Sequence, residues 1–163
     1  MMLNRPRPSD LGDLCRMEQD PRTMEMLLGV RTPEQTAAML GRIQSHWDQH
    51  GFGWWIARDR RNGNFLGRGG LRRVTLGTRE EVEVGYGFVA SVWGQGFATE
   101  LALESLKFGW EVLKLTSMVS FTLPTNIASR RVMEKCGLRF EGEGEWAGLP
   151  HVFYRIDRRP LAD

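Results

Sequence analysis

Apolar residues recur at helical spacing through the first third of the chain. Leu11, Leu14 and Met17 lie three residues apart, which predicts a helix with Ser9 as its N-cap, preceded by a short edge strand. The segment "DPRTMEMLLG" predicts a second short helix that ends at Gly29.

A third, longer helix is predicted in "TPEQTAAMLGRIQSHWDQHG". Thr32 and Gln35 fit a capping box, and Pro33 occupies the first helical position. Gly51 stands just past the last turn, where glycine commonly ends a helix.

The pattern changes to that of strands after residue 51. "FGWWIARD" is rich in aromatic and β-branched residues, and an Asn62-Gly63 turn leads from it into "LGRGGLRRVTL". The next segment, "EEVEVGYGFV", alternates strictly and therefore has two different faces. One face carries Val82, Val84 and Tyr86, and the other carries Glu83, Gly85 and Gly87.

The remaining elements alternate between helix and strand. A glycine turn leads into a helix, "TSMVSF" predicts a strand, and "NIASRRVMEKCG" predicts a helix with Thr125 as candidate cap and Gly137 as its stop. "LRFEGEGEW" and "HVFYRID" predict a final antiparallel pair. This order predicts an α/β (α+β) fold, a mixed sheet with helices on its faces, in a single domain over 1–163.

Composition and charge restrict the classes of function. The chain is 41% hydrophobic and 26% charged, as globular proteins are, and no apolar run approaches the roughly 20 residues of a membrane span. The N-terminus lacks the apolar core of a signal peptide, so a cytoplasmic location is expected. The net charge of +2 argues against a nucleic-acid partner. Neither the two cysteines nor the three histidines show metal-ligand spacing, so no metal is expected.

The turn after the alternating strand has the features of an anion site. Gly94 and Gly96 immediately precede a helix, whose N-terminus offers unpaired N–H groups and partial positive charge. The amides from Gln95 to Thr99 would point into one concavity, and the small Ala98 keeps the first turn open. No lysine follows Gly96, so this is not a Walker loop, and a plain strand-to-helix turn is the alternative.

The segment "VEVGYGFVASVWGQGFATELALESL…NIASRRVMEKCGLRFEGE" resembles the GNAT superfamily of N-acetyltransferases, in the branch of the ribosomal-protein acetyltransferases RimJ and RimL. The resemblance extends from about Gly51 to Ile156. Trp93, Gly96 and Ala98 occupy the first, fourth and sixth positions of the superfamily's Arg/Gln-x-x-Gly-x-Gly/Ala motif, and tryptophan in the first position is usual for this branch. The resemblance implies a mostly antiparallel central sheet of about seven strands, splayed between strands 4 and 5.

The resemblance also implies acetyl-CoA as co-substrate. The amides of the turn would hold the pyrophosphate, and a strand-four amide near Phe88 or Val89 would polarise the thioester carbonyl. Arginines at the start of the later helix would approach the coenzyme phosphates. The expected coenzyme contacts are Phe88, Val89, Trp93, Gly94, Gln95, Gly96, Phe97, Ala98, Thr99, Asn126, Ser129 and Arg130.

Acetyl transfer to an amine requires the amine to be neutral when it attacks. Glu83 matches the Glu-x-Gly-Tyr of the resembling branch and is the first candidate for the general base. Its alternative is a solvated strand carboxylate. Glu143 and Glu145 are competing candidates, and direct removal of the proton by water is also open.

The leaving thiolate must be protonated. The superfamily's usual acid is a tyrosine in the helix after strand five, and Met133 stands in that register here. Ser129 is therefore the candidate near the coenzyme sulfur, and Tyr154 is a second catalytic candidate. A polar residue in a first helical turn, or a packed tyrosine, explains them equally well.

A small-molecule or peptide amine is the expected acceptor, with Phe52, Trp54 and Glu83 as candidate substrate-binding residues. Core packing is the alternative for the two aromatic residues. The arginines of "RGGLRRV" suit a carboxylate-bearing acceptor or an exposed strand. No membrane partner is expected, and the chain is expected to be a monomer or homodimer. The alternative function is a non-catalytic acyl-CoA-binding sensor, because the usual tyrosine is absent.

Overall fold

Seven strands form one sheet in the order β1-β2-β3-β4-β5-β7-β6 in this computed structural model, which describes residues 1–158. Neighbouring strands are antiparallel except β4 and β5, which are parallel. The strands are β1 (Met2–Asn4), β2 (Trp54–Arg58), β3 (Phe65–Leu76), β4 (Arg79–Phe88), β5 (Ser117–Thr122), β6 (Arg139–Trp146) and β7 (Leu149–Asp157). The predicted fold class is confirmed. The predicted domain also includes residues 159–163, which lie outside the described residues.

Helices cover both faces of the sheet. The helices are α1 (Leu11–Glu18), α2 (Pro21–Met24), α3 (Pro33–His50), α4 (Phe97–Glu111) and α5 (Ile127–Lys135). α4 connects β4 to β5, because two parallel neighbours require a crossover connection. On one face, α1 and α3 pack on Ile56 through Leu14 and Leu40. We call this the α3 face.

The opposite face, which we call the α4 face, holds the larger core. Leu71, Val82 and Val84 lie there with residues of α4 and α5. Alternation along β4 therefore places Glu83, directly opposite Arg72 of β3, on the α3 face. The predicted division of this strand into an apolar face and a Glu83 face is confirmed.

The start of the first helix differs from the prediction. A 3-10 turn (Pro8–Asp10) precedes α1, and Asp10 rather than Ser9 is the N-cap residue. The Asp10 carboxylate accepts a 2.7 Å hydrogen bond from the amide of Arg7, which fixes this turn and delays the helix by one residue. The Ser9 assignment was therefore wrong.

The second helix is shorter than predicted. α2 ends at Met24, and the chain continues through turns to Gly29, whose amide donates to the Met24 carbonyl. The long helix agrees with its signals, because Thr32 and Gln35 form the capping box and Gly51 is left-handed at φ +73°. The Asn62-Gly63 turn between β2 and β3 is confirmed, with Gly63 at φ +74°.

A fully buried carboxylate, Glu18, links α1 to the sheet. Its Oε1 accepts a 2.8 Å hydrogen bond from Nε of Arg68, which is 3% exposed, and its Oε2 accepts one from Arg31. Burial lowers the pKa of Arg68 from its ordinary value, and the neighbouring Glu18 carboxylate opposes that shift. The ion pair therefore keeps a buried guanidinium charged.

Removing this carboxylate tests the ion pair. We expect Glu18→Ala to lower the free energy of unfolding by about 3–5 kcal/mol, because it leaves Arg68 buried and unpaired. Urea unfolding measures the loss. Arg61→Ala, which removes the exposed pair with Asp59, is the control and should leave the midpoint unchanged. Equal midpoints for the two variants would contradict the expectation.

Candidate active site

The turn between β4 and α4 presents free backbone amides. Gly94 and Gly96 have φ of +77° and +86°, a left-handed conformation that side chains disfavour. The first hydrogen bond of α4 runs from the amide of Glu100 to the carbonyl of Gly96, at 3.0 Å. The amides of Phe97–Thr99 come before it and have no intrahelical acceptor. Free amides at a helix N-terminus suit an anion, so the geometry is compatible with the anion site that the sequence predicts.

Two aromatic residues hold this turn against the end of β4. Trp93 is half exposed, and its indole Nε1 donates to the carbonyl of Phe88 at 2.8 Å. Phe97 stacks on Phe88 with ring centroids 6.3 Å apart. The space beside the two glycines stays open, since a Cβ atom at either position would have no neighbour within 4 Å.

β4 and β5 separate next to this turn. They pair at Glu83 and Val119, and at the following position Ser120 Oγ, rather than a backbone amide, donates to the Val84 carbonyl at 2.7 Å. The amide of Val89 donates to Leu66 of β3 at 2.9 Å, so it is not available to a ligand. The splay therefore opens along the β5 side of β4.

Of the two amides proposed for the thioester carbonyl, that of Phe88 is the one that faces this splay. Hydrogen bonds in an antiparallel pair alternate, so Val89 bonds to β3 and Phe88 directs its backbone groups away from it. The bond from Trp93 to the Phe88 carbonyl agrees with that direction. The backbone role predicted for Val89 is not supported.

The start of α5 brings three polar groups together. Asn126, rather than the predicted Thr125, caps the helix: its Oδ1 accepts from the amide of Ser129 at 3.1 Å, and its Nδ2 donates to Thr122 of β5. The hydroxyl of Tyr86 lies 3.1 Å from Ser129 Oγ and 3.2 Å from the Ser129 carbonyl oxygen. A phenol from β4 thus stands beside Ser129.

Tyr86 is a functional candidate that sequence reasoning missed. The alternation of β4 assigns it to the apolar face, and its hydroxyl then has no predicted use. Burial raises the pKa of Tyr86 well above its ordinary value, so the phenol is protonated and available as a donor. The signal in the sequence was the absence of the usual helix tyrosine, which leaves the role of proton donor to another hydroxyl.

Tyr154 and Arg130 are hydrogen-bonded to each other. Arg130 Nε donates to the Tyr154 hydroxyl, which donates to Glu134, both at 3.1 Å. Arg130 Nη1 also donates to the Pro124 carbonyl. These bonds fasten α5 to β7, so a role for Tyr154 at the thiol or for Arg130 at a phosphate would require them to break.

A cavity of about 240 Å³ opens on the α3 face. The guanidinium groups of Arg68 and Arg72 lie over the Trp54 ring, 4.6 and 4.7 Å from its centre. Arg72 also donates to the buried Glu83. The lining residues are Arg31, Met39, Arg42, Ile43, His46, Trp54, Arg68 and Arg72.

Trp54 and Glu83 lie close together, as the sequence predicts. Phe52, the third predicted substrate-binding residue, lies elsewhere. Phe52 is buried in the core of the α4 face, with Leu71 and Val82. Phe52 precedes the first residue of β2. The alternation of side chains along that strand therefore does not determine which face Phe52 occupies. Its burial does not support the assignment to substrate binding.

The competing acids lie farther away. Glu143 and Glu145 are exposed on the edge strand β6, and β5 and β7 stand between β6 and β4. Three strand spacings amount to about 14 Å. Within residues 1–158 no cluster suits a metal ion, and no helix has the length and apolarity to cross a membrane.

Comparisons with known proteins agree with this geometry. A family model described as the acetyltransferase (GNAT) domain matches residues 1–139. YkkB of Bacillus subtilis is 33% identical over 121 residues, 74% of this chain and 70% of its own length. The FsC-acetyl coenzyme A-N(2)-transacetylase of Aspergillus fumigatus is 31% identical over 136 residues, and the match spans 76% of this chain and 55% of that protein.

The fold is also that of solved acetyltransferases. The crystal structure of an acetyltransferase from Agrobacterium tumefaciens superimposes with a TM-score of 0.84 at 21% identity, over 96% of this chain and 90% of that one. The matched family model includes the glycine turn, the splayed strands and the start of α5. The chain therefore belongs to the GNAT acetyltransferase family.

Proposed function

We propose that this protein transfers the acetyl group of acetyl-CoA to a primary amine, by direct attack of the amine on the thioester. One observation carries the proposal: the free amides of Phe97–Thr99 stand next to the splay into which Phe88 directs its amide. GNAT acetyltransferases use acetyl-CoA, and these donors suit its phosphates and its thioester carbonyl. The "VEVGYGFV" segment and Trp93 support a place in the RimJ/RimL-like branch.

The reaction needs two proton transfers, one from the amine and one to the thiolate, and we assign them to residues on opposite faces of β4. Acetyl-CoA supplies an acetyl group activated as a thioester. On the α3 face, Arg72 bonds Oε2 of Glu83, and Oε1 lies toward Gly85, 3.3 Å from where a Cβ would stand. Gly85 is three residues before Phe88, so Glu83 Oε1 faces the end of β4 where the splay opens. Glu83 is thus the proposed acceptor of the amine proton, which would cross the roughly 10 Å between Phe88 and Gly85 through water.

The α4 face holds the proposed proton donor. Ser129 Oγ and the protonated Tyr86 hydroxyl form a hydrogen-bonded pair. Such a pair can pass a proton to a leaving thiolate and regain it from solvent. We propose that the pair replaces the α5 tyrosine that this chain lacks.

The function is tested by thiol release from acetyl-CoA against a panel of small amines and N-terminal peptides. We expect turnover with at least one class of primary amine. If the protein binds the coenzyme but turns over no amine, the sensor function is favoured instead. Failure to bind acetyl-CoA would refute both.

Gly96→Ala tests the anion site. We expect CoA affinity to fall about tenfold, because an alanine at φ +86° costs about 1–2 kcal/mol and shifts the helix N-terminus. Gly63→Ala is the matched control, since it has φ +74°, equally open surroundings and a position in the β2–β3 turn. Calorimetric titration with CoA measures both. Equal affinities in the two variants would argue against the site.

Ser129→Ala and Tyr86→Phe test the proton donor. We expect each to lower kcat by about 100-fold with little change in CoA affinity, because each interrupts the hydroxyl pair. Steady-state thiol release gives kcat. Ser105→Ala, which removes a buried hydroxyl bonded within α4, is the control. If all three variants keep the parent kcat, the thiolate takes its proton from water.

Glu83→Gln tests the base. We expect kcat to fall by about 100-fold at neutral pH, as for the loss of a general base. Glu143→Gln should behave as the parent. A raised KM with unchanged kcat would show instead that Glu83 acts by holding Arg72.

A further inference from the structure

We infer that the α3-face cavity binds an anionic group on the acceptor, so that the acceptor is a primary amine that also carries a carboxylate or phosphate. This rests on the proposed function and names the substrate class of the same site. The inference follows from the charge, the rigidity and the position of the cavity.

The cavity has an excess of positive charge. Four guanidinium groups line it, and none of the lining residues, all within the described chain, is acidic. Two carboxylates lie behind this lining: Glu18 bonds Arg31 and Arg68, and Glu83 bonds Arg72. Two positive charges therefore remain uncompensated. An anion would be attracted here, and a polycationic amine repelled.

His46 adds no charge to the cavity. Its Nε2 accepts a 3.0 Å hydrogen bond from the amide of Arg73, so Nδ1 carries the proton and donates to the carbonyl of Phe52 at 2.8 Å. Burial lowers the pKa of His46 from its ordinary value, and His50 and nearby arginines lower it further. The ring is therefore neutral at pH 7, and both nitrogens are occupied.

Two of the guanidinium groups are fixed before any ligand arrives. Arg68 and Arg72 each lie over the Trp54 ring and are each bonded to a carboxylate. Such groups lose little side-chain entropy when they bind an anion, and their planar forks match carboxylate and phosphate oxygens. Arg42 is exposed on α3 and has no ion-pair partner within residues 1–158, so its charge is available to a ligand.

An unpaired donor adjoins these charges. The indole Nε1 of Trp54 is buried and has no hydrogen-bond partner among the described residues. Buried donors are normally paired, so this one calls for an acceptor. An oxygen-rich ligand group in the cavity would bring such acceptors next to it.

The position of the cavity sets the length of the acceptor. The Trp54 ring lies against Gly85, 3.0 Å from where a Cβ would stand, and Gly85 is three residues before Phe88. Three strand residues span about 10 Å. An amine at the splay and an anion beside Trp54 are therefore separated by about that distance, which an extended chain of eight carbons matches.

The test compares acceptors that differ in one charge. 8-Aminooctanoate, its phosphonate counterpart 7-aminoheptylphosphonate and the neutral 8-aminooctanamide are titrated calorimetrically into the CoA complex. We expect an anionic probe to bind at least tenfold more tightly than the amide. Tighter binding of the carboxylate or of the phosphonate identifies which anion the acceptor carries.

Variants of neighbouring arginines locate the effect. Arg42→Gln and Arg72→Gln should reduce the ratio of anion to amide affinity toward one. Arg73→Gln should not, because Arg73 is next to Arg72 on β3 but does not line the cavity. Arg42 is exposed, so its variant should fold even if loss of the Arg72–Glu83 pair destabilises the other.

Two results would overturn the inference: equal or weaker binding of both anions in the parent protein, or an equal loss of the ratio in Arg73→Gln. Neither result depends on turnover. Thiol release in the same samples tests the proposed function separately, since a protein that acetylates neutral amines without preferring anions would refute this inference alone.

Discussion

β4 and β5 run parallel and pair at Glu83 and Val119, and beyond that position they separate. The separation leaves the backbone of β4 open on one side, and the α4 crossover brings unpaired helix amides to the same end of the strand. If the pairing continued in this register, β5 and the chain that follows it would occupy the backbone groups on this side of β4. The proposed coenzyme site therefore depends on β4 and β5 remaining unpaired at this end.

β4 forms the edge of the splay, and its side chains alternate between the α3 face and the α4 face. Tyr86 reaches across the α4 face to Ser129 at the start of α5. Glu83 lies on the α3 face, bonded to Arg72 and close to Trp54. A single strand thus carries the proposed proton donor and the proposed proton acceptor on opposite faces of the sheet.

The α3 face shows how a buried ion pair can prepare a binding surface. Glu18 and Glu83 each hold an arginine whose guanidinium stacks on Trp54. The carboxylates offset the cost of keeping these cations out of water, and the indole fixes their orientation. Arg42 and Arg31 add charge at the rim. The same contacts that stabilise the packing of α1 on the sheet therefore shape the cavity proposed for the acceptor.

The sequence alone determined the elements whose signals are local. The capping box of α3, the alternation of β4 and the glycines of "VWGQGFAT" act over a few residues, so their conformations could be predicted. The family resemblance supplied the mostly antiparallel sheet of about seven strands, whose spatial order only the structure shows. The two predicted caps, Ser9 and Thr125, were wrong because a neighbouring residue takes the N-cap position: Asp10 at α1, and Asn126, whose side chain bonds the helix, at α5. Only the tertiary structure joined Tyr86 to Ser129, occupied the amide of Val89, buried Phe52, and placed Arg72 and Arg68 around Trp54. These contacts link residues distant in sequence, and which of them form depends on strand register and helix packing rather than on local preference.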